Sequence, residues 1–513
     1  MLKIIAAIGS IQVLAILVGL IRSKIIALLL GPAGVGIISI VDQSAQLVAH
    51  VSAFSLPFAA VKFLSRSHSE SFEAFKGSYS SLLRALFLLT TAGAALSLGI
   101  TLWRPEVLGR ELSAYRGFLL PALIGVPAIA LHGFFSSVLA SGQKPKASAL
   151  LALTITLSLT VAATIGVPVG GILGLYWGNF LASLFIVVGV LVYLKRKLGL
   201  PLFERGHGIR KELQKYPDTV IFSLILYGSS FAHILSYFVV RFTVLTIFGE
   251  IQAGLLQATI ALAGAINLIF SPVNGLYLTP ILNRSIPKEE KMRAALEFQR
   301  ALMVGLGVLA MPIVLFPEWL LVLLFSTAFL EVNRVVFLFV VAQCVVQLGG
   351  VYNALLIGFD DLKMYGMITF FGHLLLALLS WLLAARYGIL GVGVASLISS
   401  VTIFLLSLGQ LSLKHGFVIA PRLRYLMGYE LLTLLLAGGI NNYFDAWKPL
   451  VILSKFGLYF LFLISLLFFM RREEIKQLVR KIEVFRSRRD RTRWRDTANQ
   501  MYQWIARTFF HEE

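Results

Sequence analysis

The chain holds a single cysteine, Cys344, among 513 residues, and that residue lies in an apolar segment. An internal disulfide framework and a cysteine-built metal site are therefore both excluded, and nothing points to a redox compartment. Charge is also scarce. Asp, Glu, Lys and Arg make up 14% of the chain against 58% hydrophobic residues, where a soluble domain carries about a quarter charged and about half apolar residues. No soluble core absorbs that much apolar surface, whereas a bilayer takes up about 20 apolar residues at each crossing. The sequence also lacks a histidine and carboxylate cluster of metal-binding type and a phosphate-binding glycine loop, so no metal or other cofactor is expected.

What is present is a succession of apolar runs bounded by Gly, Pro and charge. They predict helices at residues 4–30, 34–64, 80–103, 116–140, 146–168 and 170–194, then 217–247, 252–282, 299–325, 333–357, 363–387 and 389–413, then 423–444 and 449–470. The expected fold is an all-α polytopic membrane protein of about fourteen transmembrane helices. Its parts are a six-helix lobe with a cytoplasmic linker (1–216), a second six-helix lobe (217–422), two additional helices (423–470) and a basic tail (471–513). The first run follows Lys3 but is too long for a signal peptide and has no small-residue cleavage motif, so it reads as a retained helix.

The formal net charge of +20 sits in short loops and the tail rather than on a basic soluble domain. Anionic lipid headgroups and cytoplasmic retention account for that placement, and nucleic acid is not expected as a partner. Lys3, Arg66, Lys76, Lys144, the cluster from Lys195 to Lys215, Lys288, Lys363 and Lys414 fall on one side, against Arg104, Arg110, Arg116, Arg334, Arg386 and Lys448 on the other. Both termini are expected in the cytoplasm. In the tail Ile475, Leu478, Val479, Ile482 and Phe485 keep helical spacing. That pattern fits an amphipathic helix lying on anionic lipid, with a solvated or partner-binding helix as the alternative.

An internal repeat organises the rest. Gly31, Gly36 and Arg66 have counterparts 218 residues on at Gly249, Gly254 and Arg284, while Ile172, Leu173 and Gly174 recur 217 residues on as Ile389, Leu390 and Gly391, as does Lys146 as Lys363. Six helices per half is an even number, so both copies face the same way about an axis along the membrane normal and enclose a central cleft.

Ionisable groups deep in a bilayer mark candidate functional positions. Arg22 lies nine residues before Gly31 and Asp42 eleven after it, at similar depth on adjacent antiparallel helices. On the second helix Ser39, Asp42, Gln43, Gln46 and His50 share one face, and in the second half Ser223, Tyr227, Ser230, Tyr237 and Arg241 do the same. Asn267, Ser271 and Asn274 line one face of the helix after that. Arg22, Arg241, Gln46, Tyr237 and Asn267 are the candidate substrate contacts, because guanidinium groups bind phosphate through paired donors. The competing reading is an Arg22 to Asp42 salt bridge that only fixes packing. Asp42 with His50 is the candidate ion-coupling pair, for a proton or sodium. Lys24 is expected to snorkel or pair, and Lys62 to anchor at the interface. His132, His233 and His373 each stand alone in an apolar helix and read as packing residues, while Asp360 and Asp361 beside Lys363 read as solvated.

The segment from Gly19 to Arg66, with GLIRSKIIALLLGPAGVGIISIVDQ and FAAVKFLSR, resembles the opening hairpin of polysaccharide flippases. These are the O-antigen translocases of the multidrug/oligosaccharidyl-lipid/polysaccharide exporter superfamily. Val239 to Thr259 is similar to the start of that family's second half. The resemblance implies alternating access of two lobes that carry an undecaprenyl-pyrophosphate-linked oligosaccharide from the cytoplasmic to the outer leaflet of a bacterial inner membrane. It also implies a cationic cavity in which Arg22 and Arg241 match basic positions of the first and seventh helices. A second first-helix arginine found in the related lipid II flippases is absent here, where Ala15 and Ile16 stand. A polysaccharide polymerase is a further candidate partner. The alternatives are a multidrug or organic-cation exporter of the same superfamily, and a membrane-embedded glycan polymerase or ligase. The last would be an enzyme, and the short outer loops argue against it.

Overall fold

Lipid offers the backbone no hydrogen-bond partner, so a crossing segment must satisfy its own N–H and C=O groups, and helices do this within one segment. The structure is a computed structural model that describes residues 2–467 apart from 55, 143, 202–213, 215–216, 283–285 and 444–448. Every regular element among the described residues is helical. The basic tail with its amphipathic pattern, and Arg205, Arg210, Lys211, Lys215, Arg284 and Lys448, lie outside the described residues.

Nine of the described helical segments are long and apolar enough to cross a membrane. Four of them are hairpins, Leu2–Ala53, Pro145–Leu198, Pro217–Val273 and Leu362–His415, hereafter the first to fourth hairpins. Each turns at a glycine with positive φ: Gly31 at 63°, Gly171 at 56°, Gly249 at 81° and Gly388 at 59°. A side chain there would force the left-handed strain that glycine avoids. With both arms of each hairpin counted and Pro421–Tyr443 added, the fourteen expected crossings are all present.

The boundaries differ where polar turns continue a helix. The third crossing begins at Phe72 rather than residue 80, because Ser71 caps it by accepting from the Ala74 N–H. The helix expected from residue 299 begins at Lys288, through a charged first turn that hydropathy does not register. The run over 34–64 is interrupted at Phe54, whose φ is 47°, and resumes as Leu56–Glu70.

The repeat is visible in the backbone itself. Gly31 and Gly249 share their dihedrals (ψ −172° and −174°), Gly171 and Gly388 share theirs (ψ −137° and −141°), and Gly199 and Gly416 are both left-handed C-caps (ψ 19° and 23°). The two lobes are thus pseudo-symmetric copies.

The chain forms two compact units. Among the described residues, one comprises those of 1–299 and 317–418, and the other those of 300–316 and 419–467. In the first unit, Phe63, Tyr79, Leu86, Phe134, Phe135 and Val138 form a buried core. The first and third hairpins also meet in this unit. Gly36 and Gly254, equivalent positions of the repeat, pack backbone to backbone, so that a Cβ on Gly36 would collide with the Glu250 carbonyl and one on Gly254 with that of Pro32. In the second unit the Tyr429 ring stacks on Phe462 at 6.0 Å, the Tyr459 hydroxyl donates to the Val308 carbonyl at 3.2 Å, and Lys455 lies over the Phe316 ring at 5.9 Å.

Candidate functional site

The hairpin turns determine which side chains meet. Arg241 and Gln257 stand eight residues either side of Gly249, so antiparallel arms bring them level. Arg241 Nε and Nη2 donate to Gln257 Oε1 at 3.2 and 2.8 Å, and Nη1 donates to the Tyr237 carbonyl at 3.2 Å. A guanidinium carries five N–H donors, so two remain for a ligand. The first hairpin brings Arg22 and Asp42 to the same depth by the same logic, but no ion pair joins them among the described residues. Asp42 instead accepts from the Tyr176 hydroxyl at 3.0 Å, a group that also reaches the Ile38 carbonyl at 3.2 Å. Arg22 makes no hydrogen bond to a described side chain or carbonyl, and its Nε is buried without a partner.

Arg22, Asp42, Gln46 and Arg241 line one cavity of about 160 Å³, together with Ser39, Gln43 and Gln257. One wall comes from the first hairpin and the other from the third, which places one guanidinium from each half of the repeat on a shared space. Gln46 also lines a neighbouring cavity of about 250 Å³ with His50 and Ser137. The remaining two candidates lie elsewhere. Tyr237 and Asn267 line a cavity of about 370 Å³ in the second half, where Asn267 Oδ1 accepts from Gln347 at 2.8 Å. Tyr237 bridges the two spaces, because Arg241 lies over its ring at 5.6 Å. His50 stacks on Tyr227 at 5.4 Å, rather than beside Asp42.

Two expectations are corrected. His233 and His373 do not stand alone: their ring centroids are 4.6 Å apart, edge to face, on the wall of the cavity of about 370 Å³. Asp361 is not solvated. It is 6% exposed, and its carboxylate takes Gln410 Nε2 at 2.8 Å, Lys414 Nζ at 3.1 Å and His415 Nε2 at 3.5 Å. Burial alone would raise its proton affinity, but these donors outweigh that and hold the carboxyl below its ordinary range. The helix end at His415 returns over the turn at Asp361, because the two stand equally far either side of the hairpin turn at Gly388.

Lys24 pairs with a backbone group, its Nζ donating to the Val322 carbonyl at 2.6 Å, and Lys62 lies over the Phe222 ring at 4.0 Å. On the side of the hairpin tips the Tyr115 hydroxyl donates to Glu250 at 2.7 Å and Gln252 donates to Glu331 at 2.8 Å. Burial first, then the Glu250 carboxylate, raises the Tyr115 hydroxyl well above its ordinary proton affinity. On the opposite side Arg66 donates to Thr219 at 2.9 Å. The residues missed from sequence were Tyr176, Gln257 and the histidine pair. Gln257 alone had a signal, its mirror spacing to Arg241 about Gly249.

Comparison with known proteins agrees with this architecture. The lipid II flippase MurJ in an inward closed conformation superposes with a TM-score of 0.64, covering 90% of this chain and 98% of its own at 16% identity. An inward-facing multidrug resistance MATE transporter of the MOP superfamily gives 0.60, covering 79% of this chain and 94% of its own at 13% identity. At these identities the likeness is one of fold. Among curated protein sequences none matches the chain significantly. The model of one family, described as polysaccharide biosynthesis protein, matches residues 1–286, more than half of the chain. A duplicated bundle of hairpins with a polar space between its halves is therefore what this sequence builds, and the chain belongs to the polysaccharide biosynthesis protein family.

Proposed function

We propose that the protein flips a lipid-linked oligosaccharide, carried on an undecaprenyl-type pyrophosphate, from the cytoplasmic to the outer leaflet of a bacterial inner membrane. Both termini are cytoplasmic in this reading, following the placement of Lys and Arg. The observation that carries it is the cavity faced by Arg22 from one half and Arg241 from the other. Two guanidinium groups with unused donors suit a diphosphate, which spreads its charge over several acceptor oxygens. The polyprenyl tail stays in lipid while the headgroup crosses in the polar space. Movement proceeds by alternating access, coupled to a cation for which Asp42 and His50 are the candidate groups. The basic tail lies on anionic lipid, and a polysaccharide polymerase is the natural consumer of the product.

The decisive experiment follows a fluorescent polyprenyl-pyrophosphate oligosaccharide in proteoliposomes. Each lost charge-assisted contact costs about 1.5–3 kcal/mol, which predicts roughly 10–150-fold slower flipping for Arg22→Ala and for Arg241→Ala. Unchanged flipping in both variants sinks the cationic-cavity reading. Asp42→Asn removes dependence on a proton or sodium gradient if Asp42 couples the ion, and leaves it intact if the carboxylate only holds Tyr176. The presence of Asp42 in the same cavity favours one second reading, export of an organic cation. Efflux of a cationic dye from the same vesicles, abolished by Asp42→Asn but not by Arg22→Ala, would select it.

A further inference from the structure

A glycan bonded to the diphosphate needs room beside the anion cavity, and the second half of the protein has a space of suitable chemistry. The third hairpin, the helix Val336–Gly358 and the fourth hairpin line the cavity of about 370 Å³. That volume falls within the roughly 300–1,000 Å³ of small-molecule sites. No Asp, Glu, Lys or Arg lines it among the described residues. Its polar groups are amides from Asn267 and Gln343, hydroxyls from Ser396 and Ser399, and imidazoles from His233 and His373, with no carboxylate beside the rings to favour a charge.

Much of this hydrogen-bonding capacity is unspent within the protein. Gln343 bonds to no described residue, so its amide keeps two donors and an acceptor. Asn267 accepts from Gln347 through Oδ1 at 2.8 Å and keeps the donors of its Nδ2. His373 Nδ1 is buried without a partner, and a neutral imidazole presents one donor and one acceptor. Ser396 and Ser399 donate to the Val392 and Gly372 carbonyls at 2.9 and 2.6 Å, which leaves their oxygens as acceptors. Donors thus stand beside acceptors without a fixed charge. Each sugar hydroxyl is both donor and acceptor, so this set matches a polyol, whereas a carboxylate or ammonium there would be buried without a counter-charge. The remaining wall is apolar, with the Phe339 and Tyr237 rings available to the C–H faces of a pyranose.

Position joins the two spaces. Tyr237 lines this cavity, and Arg241, which lines the anion cavity, lies over its ring at 5.6 Å. The first sugar of a lipid-linked glycan is bonded directly to the diphosphate, so a diphosphate held at Arg241 puts that sugar beside Tyr237. The cavity with Gln46 and His50 is the competing place. There Ser137 spends its hydroxyl on the Pro57 and Gly133 carbonyls, and the wall is otherwise largely alanine, proline and isoleucine. We propose that the cavity of about 370 Å³ holds the first sugar of the glycan as an uncharged pyranose, with Gln343, Asn267 and His373 as its hydrogen-bond partners. The site selects neutral sugars against uronic acids. Its connection to Arg241 rests on the diphosphate reading of the anion cavity.

The test titrates the full chain in lipid nanodiscs, against protein-free nanodiscs as the blank, with farnesyl diphosphate alone or bearing glucose, galactose, N-acetylglucosamine or glucuronic acid. Two or three added neutral hydrogen bonds predict that the best uncharged sugar binds about tenfold more tightly than bare diphosphate. Glucuronic acid is expected to give no gain. In Gln343→Ala/His373→Phe the ratio of conjugate to bare affinity falls to near one, whereas Arg241→Ala weakens all probes alike. Bare diphosphate that binds with no gain from any uncharged sugar overturns the sugar site alone. A gain from glucuronic acid equal to the best neutral sugar, or a gain that survives in the double variant, overturns it as well. If no probe binds, the diphosphate reading fails and the sugar site with it; if a neutral conjugate binds and bare diphosphate does not, only the diphosphate reading fails. A diazirine on the sugar of the tightest uncharged probe gives a second readout on wild type, which serves if the double variant does not fold. Adducts are expected within residues 336–358 and 362–403, and adducts confined to residues 46–57 and 126–141 overturn the proposal.

Discussion

Gly36→Ala tests whether the hairpin tips form the contact that closes one side of the polar space. A Cβ at Gly36 would stand 2.8 Å from the Gly254 nitrogen and 3.0 Å from the Glu250 carbonyl carbon. Ordinary van der Waals contact needs about 3.4 Å or more and the Cβ would overlap the Glu250 carbonyl oxygen, so the two hairpins must separate by about an ångström or more at a point where both surfaces are backbone. Backbone cannot rotate away as a side chain does. Overpacking of this kind costs about 1–3 kcal/mol, and the cost falls only on the state in which the tips touch. The equilibrium therefore moves by roughly 5–150-fold toward the state open at the tips. The only native cysteine, Cys344, is buried, so Gln252→Cys can serve as a reporter whose labelling by a membrane-impermeant maleimide reads tip opening. Labelling is expected to rise by about an order of magnitude in Gly36→Ala, and flipping to slow. Gly228→Ala is the control, because a Cβ there meets nothing within 4 Å. If Gly36→Ala labels and flips as the control does, the tips are not a closing contact.

The buried Asp361 carboxyl is held below its ordinary range by donors that outweigh burial, so its stabilisation is present above about pH 4 and is lost as pH falls through the lowered folded value. Thermal melts of Asp361→Asn should accordingly be lower than wild type at neutral pH and converge with it at strongly acid pH; a constant gap would refute the linkage. In the second unit a Cβ on Gly307 would sit 2.9 Å from Phe462 Cζ and 3.1 Å from Glu430 Oε1, and Gly307→Ala should cost about 1–3 kcal/mol in detergent unfolding. Glu430, 5% exposed with an oxygen lacking a partner, should by contrast tolerate replacement by Gln with no loss of melting temperature. Tyr176→Phe removes the hydroxyl that donates to Asp42 and should lower stability by about 1–3 kcal/mol, because the carboxylate loses its only donor among the described residues. A melting temperature equal to wild type would show that water replaces the hydroxyl.

Much of the fold was legible in the sequence because lipid imposes a simple rule. A crossing is a run of apolar residues, a turn between tightly packed crossings needs glycine or proline, and the backbone leaves no other option. The fourteen crossings, their order, the turns at Gly31 and Gly249 and the duplication could all be read from periodic patterns along the chain. The side-chain candidates were legible only in part. Arg22 and Asp42 line one cavity because near-equal spacing about the turn at Gly31 is a local property, whereas the packing of the third hairpin on the first brings Arg241 to it.

Pairings between hairpins were decided by the tertiary structure alone. Tyr176 reaches Asp42 across 134 residues, and His233 meets His373 across 140. Each histidine in isolation has the spacing of a packing residue, and Asp361 has that of a solvated turn. A helix face encodes which side chains point inward but not which other face it meets, since apolar helix surfaces are nearly interchangeable in lipid. The sequence alone thus determined how often and where the chain crosses the membrane. Only the packing of one hairpin against another decided which polar groups share a space.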